Sequence, residues 1–500
     1  MRRTDRPAGT LFLREALPIP RMDLRRHAAV VRLPDVGGQP LEGLKGLGIA
    51  VAAGLGVAFA IESGGRLLLL LTAAAAVSLT VLLPADVFIA GALVVAGLSS
   101  VIEKYAVHAH GATFYPTDLI VILAVVRALR PADRVPAARV AGPFVAAAAG
   151  AWALLMLTAG IRGWQAGESL VTLVRYETAL FYLPALYFSL SRLLRERTLN
   201  LSRLWALLAA VSVGFVGWMF VMRVLNHPFE NISAGGSHLG EVITSQGFVV
   251  RRDFGSAAAF IIYPALGLAA VAAMAHSGRR GAGTVLALIG LAATFATLVR
   301  AEIFGMLLGL AAILILRSRG EARTSRAFTA AVLVCGALAL LLAVAYVNPA
   351  VRDAVVQRTL PGLVSGSRIA NQNAEYRMQA LRLGTRVANA HASGIGFRND
   401  NVLTQSGIDP GYLGHSVPAW LLVFLGWPGL VAATALLFAL LVRSFRLPSA
   451  VPWLHPAFVG VLLMLIVYSF GASGFVVQPW VMILTGIAVA LRFALARLPA

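Results

Sequence analysis

The segment His415-Ser416-Val417-Pro418-Ala419-Trp420-Leu421 is the junction at which a long polar stretch ends and an apolar run of membrane length begins. Ser416 is suited to cap the helix that follows, and Pro418 suits its first turn. The polar stretch, residues 348–414, carries seven arginines and a Gly394-Ile395-Gly396 turn. His415 is therefore expected at a helix start, facing a basic loop.

Apolar runs like the one after this junction recur from residue 47 to the end of the chain. Hydrophobic residues make up 59% of the 500 residues and charged residues only 13%, which exceeds what a soluble core needs. A transmembrane helix takes roughly 17 to 25 residues, and lipid requires such segments to be helical. The sequence predicts an all-α, polytopic integral membrane protein with about 12 to 14 transmembrane helices and one long periplasmic loop.

Lysine and arginine collect in the short cytoplasmic loops of inner-membrane proteins. Basic clusters of this kind separate the predicted helices: Arg127/Arg130/Arg134/Arg139, Arg192/Arg195/Arg197/Arg203, Arg279/Arg280, Arg317/Arg319/Arg323/Arg326, Arg443/Arg446 and Arg492/Arg497. Threading the helices from an inside N-terminus puts all of these clusters on one side. The sequence therefore predicts a multi-pass protein of the bacterial inner membrane with cytoplasmic N- and C-termini.

The chain divides into four parts on this basis. Residues 1–44 are a basic cytoplasmic tail without the apolar core of a signal peptide, expected to be disordered near anionic lipid. Residues 45–250 hold the N-terminal transmembrane helices, residues 251–442 hold the region with the periplasmic loop 348–415, and residues 443–500 hold the C-terminal helices. Function is sought in the outer segments, which are residues 103–116, 161–174, 226–254 and 348–414.

The net charge of +20 does not indicate nucleic acid, because most of it lies in the tail and in loops that fix orientation. Cys335 is the only cysteine, which excludes a disulfide framework. His108 and His110 are the only close histidine pair, and no third ligand is spaced to join them. The sequence predicts no metal site and no cofactor.

Arg300 is the strongest of the candidate site residues. It lies between the apolar runs 284–299 and 303–316, with only Ala301 and Glu302 beside it, and is expected to cap a helical hairpin at the outer surface. Its guanidinium is a planar donor fork that matches a diphosphate. The alternatives are an ion pair with Glu302 or an arginine that reaches the lipid headgroups.

Four further arginines in the outer segments are weaker candidates for binding a phosphate. Arg175 sits near Tyr176 and Glu177 and also suits an interfacial anchor. Arg251 and Arg252 enter a helix from outside, and a pair with Asp253 is the alternative. Arg377 is expected on an amphipathic loop helix with Glu375, Arg382 and Arg386, where a solvated helix face is the alternative.

These residues together resemble the O-antigen ligase and polymerase superfamily of bacterial glycan assembly. The resemblance spans roughly residues 251–441 and rests on the order of six residues: Arg300, Gly394, Gly396, His415, Gly426 and Gly429. The chain departs from the family pattern at Val299, Ala301, Ser416 and Phe424, so the supporting roles there differ. The glycines also fit ordinary backbone turns, because no predicted strand precedes them.

The resemblance implies a periplasmic-face glycosyltransferase whose donor is an undecaprenyl-diphosphate-linked glycan. His415 would be the catalytic base and Arg300 the main ligand of the diphosphate. Arg377, Arg252, Arg251, Arg175, Gly394 and Gly396 would help to bind substrate. The acceptor would be lipid A core in a ligase, which the basic outer loop favours, or a second lipid-linked glycan in a polymerase.

Two other function classes stay open on the sequence. A transporter or flippase would place arginines along a central cavity and often shows internal repeats, whereas the charged candidates here cluster at one face. A scaffold of a polysaccharide export complex would need no arginine and histidine site.

Overall fold

A computed structural model describes residues 84–97, 107–109, 112–114, 116–128, 143–169, 173, 182, 185–191, 200–224, 241–243, 249–251, 259–277, 282–296, 300–318, 368–397, 416–449, 451–471 and 479–495. All of them fall within one compact part of the chain, Gln39–Ala500. The N-terminal tail, His110, Arg175, Arg252, Cys335 and His415 lie outside the described residues.

The described chain is predominantly helical, which confirms the helical class predicted from sequence. The helices are α1 (Ala85–Gly97), α2 (Pro116–Ala128), α3 (Pro143–Gln165), α4 (Leu201–Val224), α5 (Ala259–Ser277), α6 (Ala282–Ala296), α7 (Arg300–Ser318), α8 (Arg368–Ala390), α9 (Val417–Arg446), α10 (Leu454–Gly471) and α11 (Pro479–Ala494). Proline opens α2, α3 and α11, where its missing N–H costs no hydrogen bond.

Two small antiparallel ladders accompany the helices. Strand β1 (Val107–Ala109) pairs with β2 (Ala112–Phe114), and β3 (Glu241–Ile243) pairs with β4 (Val249–Arg251). Both fall in segments that the sequence assigns to the outer side. An all-α expectation missed them because three-residue strands leave almost no alternating pattern to detect.

Glycines set the closest helix crossings in the bundle. A Cβ added to Gly290 of α6 would lie 2.6 Å from the Cα of Gly267 in α5. A Cβ added to Gly309 of α7 would lie 2.7 Å from the carbonyl oxygen of Gly460 in α10. Small residues at such crossings let helix backbones approach, as they do in membrane bundles.

Helices α7 and α10 run in opposite directions. Gly305 of α7 packs against Met464 of α10. Gly309, one turn later in α7, packs against Gly460, which comes earlier in α10. The N-terminal end of α7 therefore lies beside the C-terminal end of α10. We call this end of the bundle the site end.

The opposite end holds several of the arginines that the sequence assigns to the cytoplasm, and we call it the basic end. Arg203 of α4 forms an ion pair with Asp86 at the start of α1. The ring of Trp205 contacts Trp453, just before α10, with centroids 5.4 Å apart. Arg492 of α11 contacts the last turn of α9, which carries Arg443 and Arg446. Arg203, Arg443, Arg446 and Arg492 therefore lie at one end, and the sidedness of the other clusters stays a prediction.

Arg492 differs from the sequence prediction in one respect. It was assigned to a short inner loop, whereas it lies inside α11 with 0% of its surface exposed. Its Nε donates to the Ser444 hydroxyl at 2.9 Å. A hydropathy pattern reports the charge but not the tertiary partners that bury it.

Two of the described helices, α3 and α9, are long and apolar enough to cross a membrane by length and composition. Several shorter helices, such as α5 and α10, are also strongly apolar. Large apolar side chains point away from the core on both long helices, including Leu154 (63% exposed) and Val431 (65% exposed).

The glycine crossing between α5 and α6 gives a test of this packing. Gly290→Ala should lower the thermal midpoint of the protein purified in mild detergent, because the new methyl group meets the Gly267 and Tyr263 backbones, an overpacking cost of about 1–3 kcal/mol. Gly150→Ala on α3 is the matched control, since nothing lies within 4 Å of its new Cβ. An equal effect in both variants would contradict the crossing.

Candidate functional site

The Gly394-Ile395-Gly396-Phe397 segment, which follows α8, is held between α3 and α9. The Ile395 and Gly396 N–H groups donate to the Val423 and Phe424 carbonyls of α9 at 3.0 and 3.1 Å. The Phe397 N–H donates to the Ala159 carbonyl of α3 at 3.1 Å. We call this arrangement the glycine junction.

Three residues of the junction are glycine for a steric reason. Gly394, Gly396 and Gly426 have φ of 77°, 84° and 66°, in the region that side chains rarely adopt. A Cβ on Gly394 would lie 2.4 Å from the Phe424 carbonyl oxygen, and a Cβ on Gly426 would lie 2.1 Å from the Ala392 carbonyl oxygen. The glycines are there because the backbones touch.

Gly394 and Gly396 were predicted to help bind substrate, and the structure gives them a supporting role. Both are buried. The Gly394 N–H donates to the His391 carbonyl at 2.7 Å, and the Gly396 N–H is taken by α9. Their amide groups are therefore occupied within the protein, as the turn interpretation requires.

Arg162 is a junction residue that sequence reasoning missed. It lies in the last turn of α3, and its Nη1 donates to the Ser393 carbonyl and, at 3.2 Å, to the Gly394 carbonyl. The only signal in the sequence is a cation at the end of an apolar helix, which is common in membrane proteins. Its role depends on a segment more than 200 residues away.

Gly426 also divides α9 into two parts. Its φ of 66° and ψ of −162° interrupt the helix, and Pro428 follows at once. The part before the kink, residues 417–425, is almost wholly buried, with Trp420 and Phe424 packed on Phe397. The part after it, residues 427–446, is about 30 Å long at 1.5 Å per residue, the thickness of a bilayer core.

The start of α9 confirms the predicted cap. Ser416 is the N-cap residue, and its hydroxyl accepts a hydrogen bond from the Ala419 N–H at 3.4 Å. Pro418 lies in the first turn. His415, the next residue back along the chain, lies outside the described residues, and its role stays a prediction.

Helix α8 is the amphipathic loop helix that the sequence predicts, and it runs in the same direction as the first part of α9. Gly384 of α8 packs against Ala419 of α9. Farther along both helices, the Asn389 side chain of α8 accepts a hydrogen bond from Trp427 Nε1 of α9 at 3.1 Å. Arg377 lies two turns before Gly384. This offset puts Arg377 beyond the N-terminal end of α9, since Gly384 itself is level with the first turn of α9.

Arg377 differs from the other arginines of its helix. Arg382 and Arg386 are exposed, as a solvated face requires, whereas Arg377 is half-buried. Burial lowers the pKa of the Arg377 guanidinium from its ordinary value, and the nearby Tyr468 opposes that shift. An arginine still carries its charge at neutral pH. The site end therefore contains a cation that is partly removed from water.

Tyr468 connects Arg377 with the start of α7. This tyrosine, near the C-terminal end of α10, interacts electrostatically with both Arg377 and Glu302. Glu302 is only 2% exposed and lies in the first turn of α7. Arg300 is the first residue of α7 and precedes Glu302 by two positions in the chain. The Arg300 side chain lies outside the described part of the structure.

The remaining candidates are less informative. Arg251 ends strand β4, and in the ladder it is in register with Glu241 of β3. Arg175 and Arg252 lie outside the described residues.

This arrangement suits an anion. The N-terminal ends of α7 and α9 both lie at the site end, and each presents the positive end of a helix dipole. Arg377 adds a half-buried positive charge at the same end. A phosphate group is the anion that planar guanidinium groups and helix N-termini bind best.

No protein-family model matches the chain, and no curated protein is significantly similar to it in sequence.

The glycine junction predicts a specific order of stability. Gly394→Ala should lower the free energy of unfolding more than Gly167→Ala, because both residues have a positive φ but only Gly394 is crowded. The conformational strain alone costs about 1–2 kcal/mol, and overpacking adds about 1–3 kcal/mol. Thermal midpoints of the two purified variants measure the difference, and equal losses would show that the backbones do not touch there.

Proposed function

We propose that this chain is a polytopic inner-membrane glycosyltransferase that acts on the periplasmic face. It transfers a glycan from an undecaprenyl-diphosphate carrier to an acceptor hydroxyl. The observation that carries the proposal is the half-buried Arg377 of α8, which shares the site end with the first turn of α7 and the N-cap of α9.

The membrane placement has three supports. Helices α3 and α9 have the length and composition of membrane spans. Exposed apolar side chains such as Leu154 and Val431 are unfavourable in water and ordinary in lipid. Arg203, Arg443 and Arg446 gather at the basic end, which the positive-inside rule makes cytoplasmic. The site end is then periplasmic.

The donor is proposed to bind through its diphosphate. Arg300 and Arg377 supply positive charge to oxygens that become more negative as the lipid diphosphate leaves. Arg252, Arg251 and Arg175, from the other outer segments, are proposed to assist. The half-burial of Arg377 supports this role, because a charge partly shielded from water interacts more strongly than an exposed one.

The acceptor hydroxyl is proposed to be activated by His415. The bond from the sugar C1 to the diphosphate oxygen breaks, a bond from C1 to the acceptor oxygen forms, and the hydroxyl proton passes to the imidazole. Positive potential at the N-terminus of α9 disfavours the imidazolium, which keeps the base neutral and available before the reaction. Ser416 as the observed N-cap supports a helix start at this point.

The acceptor is proposed to be lipid A core, which makes the chain an O-antigen ligase. The basic outer loop, residues 348–414, suits the phosphates of core sugars. A polymerase, with a second lipid-linked glycan as acceptor, uses the same site and is distinguished by what accumulates when the site fails.

The direct genetic test uses glycan display in a deletion strain. His415→Ala and Arg300→Ala should each abolish display while the protein inserts at normal levels, since a general base contributes roughly 100- to 10,000-fold in rate. Arg382→Ala is the matched control, because it removes an exposed arginine from the neighbouring helix. Long lipid-linked chains in the failing strains identify a ligase, and single repeat units identify a polymerase. Full display with both variants would contradict the proposal.

Arg377 gives a second test within one helix. Arg377→Gln should reduce the transfer rate at least about tenfold, because a charge-assisted hydrogen bond is worth about 1.5–3 kcal/mol. Arg386→Gln, an exposed position nine residues later, should have a much smaller effect. Glycan transfer by membranes that contain equal amounts of each variant gives the comparison. A larger loss with Arg386→Gln would place the donor elsewhere.

A further inference from the structure

The basic end contains a buried cation that the proposed reaction does not use. Arg492 of α11 is 0% exposed. Its Nε donates to the Ser444 hydroxyl at 2.9 Å, and its Nη2 donates to the Ser444 carbonyl and to the Leu447 carbonyl, the latter at 2.6 Å. All three acceptors are neutral groups at the C-terminal end of α9.

One donor of this guanidinium is not used. Nη1 of Arg492 is shielded from solvent and has no hydrogen-bond partner among the described residues. A buried N–H without an acceptor is unfavourable, and a buried charge without a counter-ion is more so. An anion at this point would satisfy both.

Among the described residues, the helices that pack around Arg492 do not supply that anion. No aspartate or glutamate occurs in residues 410–500, so α9, α10 and α11 carry no acidic side chain. Helix α1 also packs against α11, and its one carboxylate, Asp86, is engaged by Arg203. The only other titratable side chain seen at Ser444 is His455, whose Nδ1 lies 2.9 Å from the Ser444 hydroxyl.

Two more arginines lie in the last turn of α9, to which Arg492 is hydrogen-bonded. Arg443 is half-buried and Arg446 is exposed, and both belong to the last turn of α9. Residues three apart on a helix share a face, so these two side chains can reach one ligand. Both residues adjoin Ser444 and Leu447 in the chain, whose carbonyls accept hydrogen bonds from Arg492.

We propose that this end of α9, with Arg492, binds the phosphate of an anionic phospholipid from the cytoplasmic leaflet. Planar guanidinium forks match phosphate oxygens, and basic pockets between helices on the cytoplasmic side suit lipid headgroups. The lipid would supply the negative charge that residues 410–500 lack and would join the C-terminal ends of α9 and α11. The inference rests on the proposed membrane placement but not on glycosyl transfer.

The test measures lipid binding by the full chain purified in a neutral detergent. Cardiolipin or phosphatidylglycerol should raise the thermal midpoint by several degrees, whereas phosphatidylcholine and inorganic phosphate should not. Native mass spectrometry should show retained anionic lipid, reduced about tenfold by Arg492→Gln, the change expected for the loss of one charge-assisted hydrogen bond.

A second variant keeps the test decisive if Arg492→Gln does not fold. The double variant Arg443→Gln/Arg446→Gln should lose the lipid-induced shift, and Arg382→Gln/Arg386→Gln, which removes the same charge at the site end, should keep it. An equal loss in both double variants would mean general attraction to anionic lipid and would overturn the site. A shift with inorganic phosphate alone would overturn the lipid as its ligand. Glycan display is not measured, so a failure here is separate from a failure of the proposed transferase.

Discussion

Backbone contact at Gly394, Gly396 and Gly426 is the constraint on which the site end depends. The loop after α8 lies so close to α3 and α9 that no side chain fits between them. The same contact holds the kink that divides α9. One part of α9 is thereby left with the length of a membrane span, and the other is buried beneath α8. The position of Ser416, the N-cap residue of α9, follows from this packing.

The two ends of the bundle differ in how deeply they bury an arginine. At the site end, Arg377 is half-buried next to Tyr468 and keeps part of its guanidinium available for a ligand. At the basic end, Arg492 is fully buried, and its guanidinium donates hydrogen bonds to two carbonyls and one hydroxyl at the end of α9.

Local signals in the sequence predicted local structure well. Ser416 and Pro418 marked the start of α9, and the polar pattern around Arg377 marked α8, because caps and amphipathic periods depend on near neighbours. The uses of Arg162 and Arg492 were not predictable, since their partners are distant in sequence and backbone carbonyls leave no mark in it. Gly394 and Gly396 were assigned both to substrate binding and to a backbone turn, and the contacts that require glycine there appear only in three dimensions. The roles of His415 and Arg300 remain predictions.

The most direct measurement is release of undecaprenyl diphosphate by the purified protein in liposomes that contain an undecaprenyl-diphosphate-linked glycan and a hydroxyl acceptor. A periplasmic-face transferase predicts release by the wild-type protein, dependent on the acceptor, and its loss in His415→Ala at equal protein level. No acceptor-dependent release by the wild type, or equal release by the variant, would contradict a transferase with His415 as its base.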